Sequence, residues 1–477
     1  MKRYSFLKYI KFGFIGLAVS MTSCDKLLET NPTDAVDVDM ALTTKEGFQT
    51  STVGVYSYLR KTAQYGRQLV VYPEIMGNNA AHSGRGTNLL NHSNNARGSH
   101  MTPWRSAYEA IAQINIILAE LEDFEESEQW KNQIEGQLRF LRALFFHNAA
   151  KVYSYDPTAI GSTNRGTLPL NLEPVYSYDK LINLPRASQE ELYEQLYIDL
   201  ERAYECLLNN DSDRGPHWVT AGAAAALLSR VALYNGDYPK VVEAVELALE
   251  TGQGKFSTTS SYVSDWRQSV HPESIFEMEV KTDQNLGANN APRADYTNRA
   301  GIGDTETVSG RGNAKVSEDF YVMFEDGDVR KDLFVKGLGA ASDDFQTTKF
   351  YSRGGELNLD NIPIIRVSEL YLNRAEAYAR MAGMEQQAMD DINIIRERAG
   401  LDPVSGLAED NLIDEVLKQR RLELAFEGHN FFDYKRLGMN IVKPGGKVFN
   451  FSDYRVLARI PWREFNANKE LRQNRGY

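Results

Sequence analysis

Apolar positions recur at helical spacing along most of the chain. Phe48, Thr52, Val55 and Leu59 share one face behind a capping pair, Thr43 and Glu46, and predict a first helix. Tyr108, Ile111, Asn115 and Leu118 form a second stripe starting from Trp104, with Asn115 read as a buried, satisfied amide. Residues 130–153 are apolar nearly all round between Leu138 and Phe146, which predicts a central helix. Ser188 and Glu191 open a fourth helix carrying Leu192, Leu196, Leu200 and Leu207. Two helix–turn–helix pairs follow, 221–234 with 241–249 and 370–378 with 388–398, the second turning around Gly383. Arg230 and Tyr234 in the first pair match Arg374 and Tyr378 in the second. Small residues at the crossing and an aromatic near the turn suit closely packed tetratricopeptide-like pairs. Eight helices thus read as four pairs, the earlier two being 44–61 with 104–122 and 130–153 with 188–208.

Three long irregular regions separate these helices: 63–103, 154–187 and 252–367. Loops of such length in a compact domain tend to carry function. Alternation at 274–281 predicts a short strand, and 317–325 a short helix. Two loops are rich in amides with interspersed aromatics, the chemistry that sugar hydroxyls and the C–H face of a sugar ring require. Loop 72–100 offers Asn78, His82, Arg85 and Asn88, and loop 282–316 offers Arg293, Tyr296 and Arg299. Tyr296 is the only large aromatic of its loop and is expected to be an exposed platform for a sugar. Trp104 and Trp266 are assigned to the core.

Residues 420–436 concentrate the chain's charge chemistry. Ile413, Val416, Leu417 and Leu424 carry a helix into the stretch, and Gly428 interrupts it. Arg420, Glu423 and Glu427 fall at three- and four-residue spacing on that helix, with His429 and Asp433 beyond. Such charges among apolar residues serve either as a metal or acid–base site or as a desolvated ion-pair network. The surplus of arginine repels a metal, so the network is expected. His82, His92 and His100 match no ligand spacing and are read as exposed loop residues. No nucleophile, phosphate-loop or dinucleotide motif occurs, and no metal, cofactor or catalytic residue is expected.

Charge narrows the partners. The 477-residue chain carries a net charge of −12 and repels nucleic acid. Its first 23 residues hold four cations and no acid, followed by an apolar run too short to span a membrane. They read as a signal peptide whose removal takes the net charge to −16. Met21-Thr22-Ser23-Cys24 is similar to a bacterial lipobox, which makes Cys24 the lipidated residue and 24–43 a tether ahead of a single domain, 44–477. Cys206 is then a lone, buried thiol.

The order of motifs resembles the SusD/RagB family along essentially the whole chain. After the lipobox come Trp104, Tyr108, Ile111 and Asn115; Arg139-Phe140-Leu141-Arg142-Ala143; Tyr234-Asn235-Gly236-Asp237-Tyr238; and Arg374-Ala375-Glu376-Ala377-Tyr378. The charged stretch at 420–436 and a terminus from Ile460-Pro461 to Gln473-Asn474-Arg475-Gly476-Tyr477 complete the series. The resemblance implies a mainly α, SusD-like fold, four tetratricopeptide-like helix pairs supporting a loop-rich ligand-binding half. It also implies an outer-membrane lipoprotein facing outwards that captures glycan for a SusC-like TonB-dependent transporter. A RagB-like peptide binder on the same scaffold, a glycan-active enzyme and a structural adaptor are the alternatives. No family motif names a ligand residue, so the seven loop candidates rest on composition alone.

Overall fold

The computed structural model describes residues 41–177, 182–210, 215–301, 304–353 and 356–477. The signal segment and Cys24 lie outside the described residues. The chain divides into two compact units, Met1–Phe48 and Gln49–Tyr477. The second unit carries the fold, from the body of the first helix to the C-terminus.

Helix α1 (Lys45–Tyr56) leads into a 3-10 turn, Ser57–Arg60. The other principal helices are α2 (Gln68–Met76), α3 (Trp104–Asp123), α4 (Glu128–Tyr153), α5 (Gln189–Leu207), α6 (Ala221–Asn235), α7 (Tyr238–Glu250), α8 (Val367–Ala379), α9 (Glu385–Arg398), α10 (Glu409–Glu423) and α11 (Asn430–Arg436). From α3 to α8 each helix packs on the next, and α8 packs on α9 and α10. The expected pairs α4/α5, α6/α7 and α8/α9 are all present. The expected pairing of 44–61 with α3 is made through the 3-10 turn, where the Gln113 amide donates to the Tyr58 hydroxyl at 3.0 Å, and α3 also packs on α4.

Local chemistry accounts for these boundaries. Ser188 Oγ accepts the Glu191 N–H at 3.0 Å, and the Glu191 carboxylate accepts the Ser188 N–H at 2.7 Å, closing the capping box ahead of α5. Gly236 ends α6 at φ +77°, where a side chain would be strained. Helix α4 is central as its sequence implies, with Phe140, Leu141, Leu144, Phe145 and Phe146 wholly buried. Asn115 is satisfied: Arg142 donates to its Oδ1 at 2.9 Å, and its amide donates to the Asn171 carbonyl at 2.9 Å. Trp104, Trp266 and Cys206 are buried. Strand β2 (Ser274–Met278) and the helical turn Glu318–Tyr321 occur where the pattern places them.

Strands are short and pair antiparallel. The ladders are β1 (Ala80–His82) with β3 (Ala314–Val316), β2 with β6 (Ile362–Arg366), β4 (Phe334–Lys336) with β5 (Phe345–Thr347), and β7 (Ile441–Val442) with β8 (Val448–Phe449).

Buried ion pairs tie the helices together. Arg230 of α6 forks onto Glu369 of α8, both bonds at 2.6 Å, and Arg436 of α11 forks onto Glu376 of α8 at 2.7 and 2.6 Å. Burial raises the Glu376 carboxyl, but the Arg436 guanidinium outweighs it and holds the group at about 2, below its ordinary 4.5. A carboxylate depressed in the folded state stabilises the fold above the unfolded value and loses that stability as pH falls through the folded value. We therefore expect about 3 kcal/mol to be lost from this pair between pH 4.5 and about 2. Urea unfolding at several acidic pH values checks this. Glu376→Gln should flatten the profile, and an equal acid loss in both proteins would refute the assignment.

Candidate functional site

Helix α10 ends at Glu423, five residues before Gly428, so Glu427 sits on the following turn and not on the helix. Phe426 adopts φ +67° there and is buried against Tyr296, Phe320 and Phe334. The turn aims Glu423 and Glu427 together at Arg366. Glu423 accepts from Arg398 at 2.6 Å and from Arg366 at 3.2 Å, with Arg330 at 3.7 Å. Glu427 accepts from Lys349 and from Arg366, both at 2.7 Å. Glu273 closes the group with Arg366 at 2.6 Å and Arg398 at 3.3 Å, and Asp328 holds Arg330 at 2.7 Å. Four cations thus meet four carboxylates, every side chain at most 4% exposed. Trp266 covers one side, with Lys349 and Arg366 over its ring at 4.8 and 5.2 Å.

Asp433 and His429 stand apart from this group. Asp433 takes Arg420 and Arg436, at 3.1 and 2.8 Å, so Arg420 does not pair with Glu423. His429 donates its backbone N–H to Glu74 at 3.0 Å, and its ring lines a separate cavity of about 240 Å³. Glu74, wholly buried on α2, also accepts the N–H groups of Gly428 and Asn430 at 3.0 and 3.4 Å. This arrangement is an internal clamp. Among the described residues no group of three His, Cys, Asp or Glu is placed to hold a metal.

The two amide-rich loops do come together. Strand β1 belongs to the first and β3 to the second, paired from Ala80–Val316 to His82–Ala314. Asp295, wholly buried, is their hub: it accepts from Arg67 at 2.6 Å, Asn88 at 2.8 Å and Arg311 at 2.9 Å.

Beside β1 lies a cleft of about 480 Å³ between the first loop and the β7–β8 hairpin. That volume falls within the usual range for a small-molecule site. His82, Asn94, Asn95 and Asn450 line it together with Lys443, Lys447, Asp453 and Arg455. Lys443 Nζ donates to the carbonyls of Ile75, Met76 and Gly77 at 2.8, 2.9 and 2.7 Å, capping the C-terminal end of α2. Arg455 forks onto Asp453 at 2.8 and 2.5 Å. Amides and cations make up most of its polar lining and can orient hydroxyl and acidic groups, while Ile75, Val448 and Phe449 are among its apolar residues.

Comparison with known proteins agrees with this architecture. Residues 26–233 match the family described as starch-binding, associating with outer membrane, and residues 341–477 match the SusD family. The chain belongs to the SusD/RagB family. Among its relatives, SusD-like protein P2 of Formosa agariphila is 24% identical, the match spanning 98% of this chain and 99% of that protein. The starch-binding protein SusD of Bacteroides thetaiotaomicron is 35% identical over 126 residues, 24% of this chain. A crystal structure of a SusD superfamily protein from B. thetaiotaomicron aligns with TM-score 0.79 at 25% identity, covering 90% of this chain and 99% of that one. The surface glycan-binding protein A from Bacteroides uniformis aligns with TM-score 0.72 at 20% identity, again over 90% of this chain and 99% of that one.

On this SusD/RagB scaffold most of the loop residues singled out by composition hold the loops in place. Tyr296 is the clearest correction. It is wholly buried, donates to the Val70 carbonyl at 2.7 Å and packs against Phe350 and Phe426, so it anchors its loop and offers no platform to solvent. Asn78 is buried and donates to the Tyr434 hydroxyl and the Val442 carbonyl at 3.0 and 3.1 Å. Arg85 reaches Asp344 at 2.5 Å, and Asn88 is spent on Asp295. Arg293, 1% exposed, donates to Asn358 and to the Ser309 carbonyl, both at 3.2 Å. Arg299, half-buried, donates to the carbonyls of Lys336 and Asp304 at 2.7 and 3.0 Å. His82 alone of the seven lines the cleft, its ring bridging the Asn88 carbonyl and the Gly84 N–H at 3.0 and 3.1 Å.

The other two loop histidines are not exposed either. His92 lies against Tyr72 at 4.0 Å, and burial with Arg67 nearby pulls it to about 4. His100 is buried edge-on to Phe431, and burial pulls it to about 3. Sequence reasoning missed the β7–β8 hairpin, which supplies half of the cleft. It also missed Trp462, a ring 56% exposed near the C-terminus.

Proposed function

We propose that the protein is a cell-surface glycan-binding lipoprotein, anchored to the outer membrane through lipid on Cys24, that captures oligosaccharide or polysaccharide and passes it to a SusC-like TonB-dependent transporter. It binds its ligand and does not transform it. The observation that carries this reading is the match of residues 26–233 to a family described as starch-binding and associating with the outer membrane. The amide- and cation-lined cleft beside β1 supports it as a place for a hydroxyl-rich ligand.

Affinity purification from solubilised outer membranes tests the role. A large TonB-dependent barrel should co-purify with the protein, and Cys24→Ala should leave it unacylated and outside the outer-membrane fraction. Recovery of the protein alone, under detergents that keep comparable pairs intact, would count against transport. Membrane retention of the unacylated variant would count against the anchor.

A further inference from the structure

The charge of the cleft is opposite to that of the protein. The chain carries −12 overall, whereas the cleft is lined by three cations, Lys443, Lys447 and Arg455, against one carboxylate, Asp453. Asp453 is already spent, held by both prongs of Arg455. This leaves the two lysines without a carboxylate from the lining. Lys443 is buried behind three carbonyls and contributes its charge from beneath, while Lys447 is exposed on the β7–β8 turn. Burial, and then Lys447 beside it, pull the Lys443 ammonium down to about 7, and an anion in the cleft would favour its charged form. A clustered positive site on an acidic surface selects anionic ligands and discriminates little among neutral ones.

A second feature points to hydroxyls. Asn95 lines the cleft, is 2% exposed and adopts φ +46°. Its amide nitrogen donates to the Met76 carbonyl at 3.2 Å and its backbone carbonyl accepts from Arg455 at 3.1 Å, but its Oδ1 has no partner. A buried acceptor left unpaired costs about 1–3 kcal/mol, a cost that a donating ligand group removes once a small shift of the cleft floor uncovers the oxygen. An anion and a hydroxyl donor on one small ligand describe a sugar acid or a sulfated sugar.

We propose that this cleft takes an anionic sugar unit, carboxylated or sulfated, with Lys447 contacting the anion and Asn95 accepting from a hydroxyl. This rests on the glycan-binding reading above and adds to it the class of glycan.

Calorimetry with three probes tests the proposal: oligogalacturonate, which carries carboxylates, a κ-carrageenan oligosaccharide, which carries sulfates on neutral sugars, and maltoheptaose, which carries neither. At least one anionic probe should bind, and its identity tells carboxylate from sulfate. Maltoheptaose should bind at least about tenfold more weakly. Raising NaCl from about 50 to about 500 mM should weaken the anionic probe about tenfold. Lys447→Glu should weaken it at least about tenfold and Lys447→Arg less than about threefold. Lys447 is exposed, and an unchanged melting temperature confirms that the variants fold. Tight maltoheptaose binding without anionic binding overturns this inference and leaves the glycan reading standing. Anionic binding indifferent to Lys447→Glu also overturns it, since the site then lies elsewhere. Failure of all three probes overturns the inference together with the glycan reading of this cleft.

Discussion

Replacing Glu423 with alanine is expected to destabilise the protein by about 3–5 kcal/mol, a large share of a typical domain's stability. The ion-pair group around Arg366 is closed and balanced, four cations to four carboxylates, with every side chain at most 4% exposed. Removing Glu423 leaves a net positive charge in the interior and takes from Arg398 its 2.6 Å partner. Solvent cannot reach the site to compensate. Burial disfavours the Glu423 carboxylate, yet Arg398 and Arg366 hold it well below the usual carboxylate range. Urea denaturation measures the loss, and calorimetry on the folded fraction should find glycan affinity unchanged. A loss below about 1 kcal/mol, or normal folding with lost binding, would show that Glu423 serves the ligand and not the fold.

Gly428→Ala should cost a similar amount, more than about 4 kcal/mol, by an unrelated mechanism. Gly428 adopts φ +93°, which an L side chain tolerates only under strain. A Cβ there would also lie 2.0 Å from the Leu69 carbonyl oxygen. That oxygen belongs to the backbone of α2 and cannot swing aside as a side-chain tip could. To accommodate the methyl, the turn must withdraw from α2 and break the hydrogen bond from Gly428 N–H to Glu74. Thermal unfolding of the variant is the direct measurement. A melting temperature within about 2 °C of wild type would show that the two segments separate freely.

The helices were legible in the sequence because burial imposes a period on each of them. Leu192, Leu196 and Leu200 repeat the same demand three times, and Ser188 with Glu191 mark the start by chemistry that acts within one turn. The charged network was legible in kind: so much arginine near Glu423 and Glu427 had to be paired. Its geometry was not, because Arg366, Arg398 and Glu273 lie far away in sequence. The same limit misplaced Tyr296. Its own loop offers no core, and the groups that bury it, the Val70 carbonyl with Phe350 and Phe426, come from three other segments. Amides such as Asn78 and Asn88 look alike in sequence whether they face a sugar or bond a neighbouring loop. The cleft's other wall was invisible for a simpler reason. Strands β7 and β8 have two residues each, too few to show a period.

The clamp of Glu74 on the turn at 428–430 bears on how the chain matures. Its hydrogen bond to Gly428 joins residues 354 positions apart, and Asn78 meets Asn430 across 352. Until nearly the whole polypeptide has left the ribosome, the buried carboxylate of α2 therefore has only the nearby Asn79 amide, at 2.9 Å, and lacks the backbone N–H groups of 428–430. The early helices can collapse on one another as they emerge, but the face that carries the cleft beside β1 waits for the last tenth of the chain, a slow and highly non-local step. A nascent or truncated chain that stops short of residue 428 should thus display a helical scaffold with its first loop unlatched, open to proteases where the finished protein resists them.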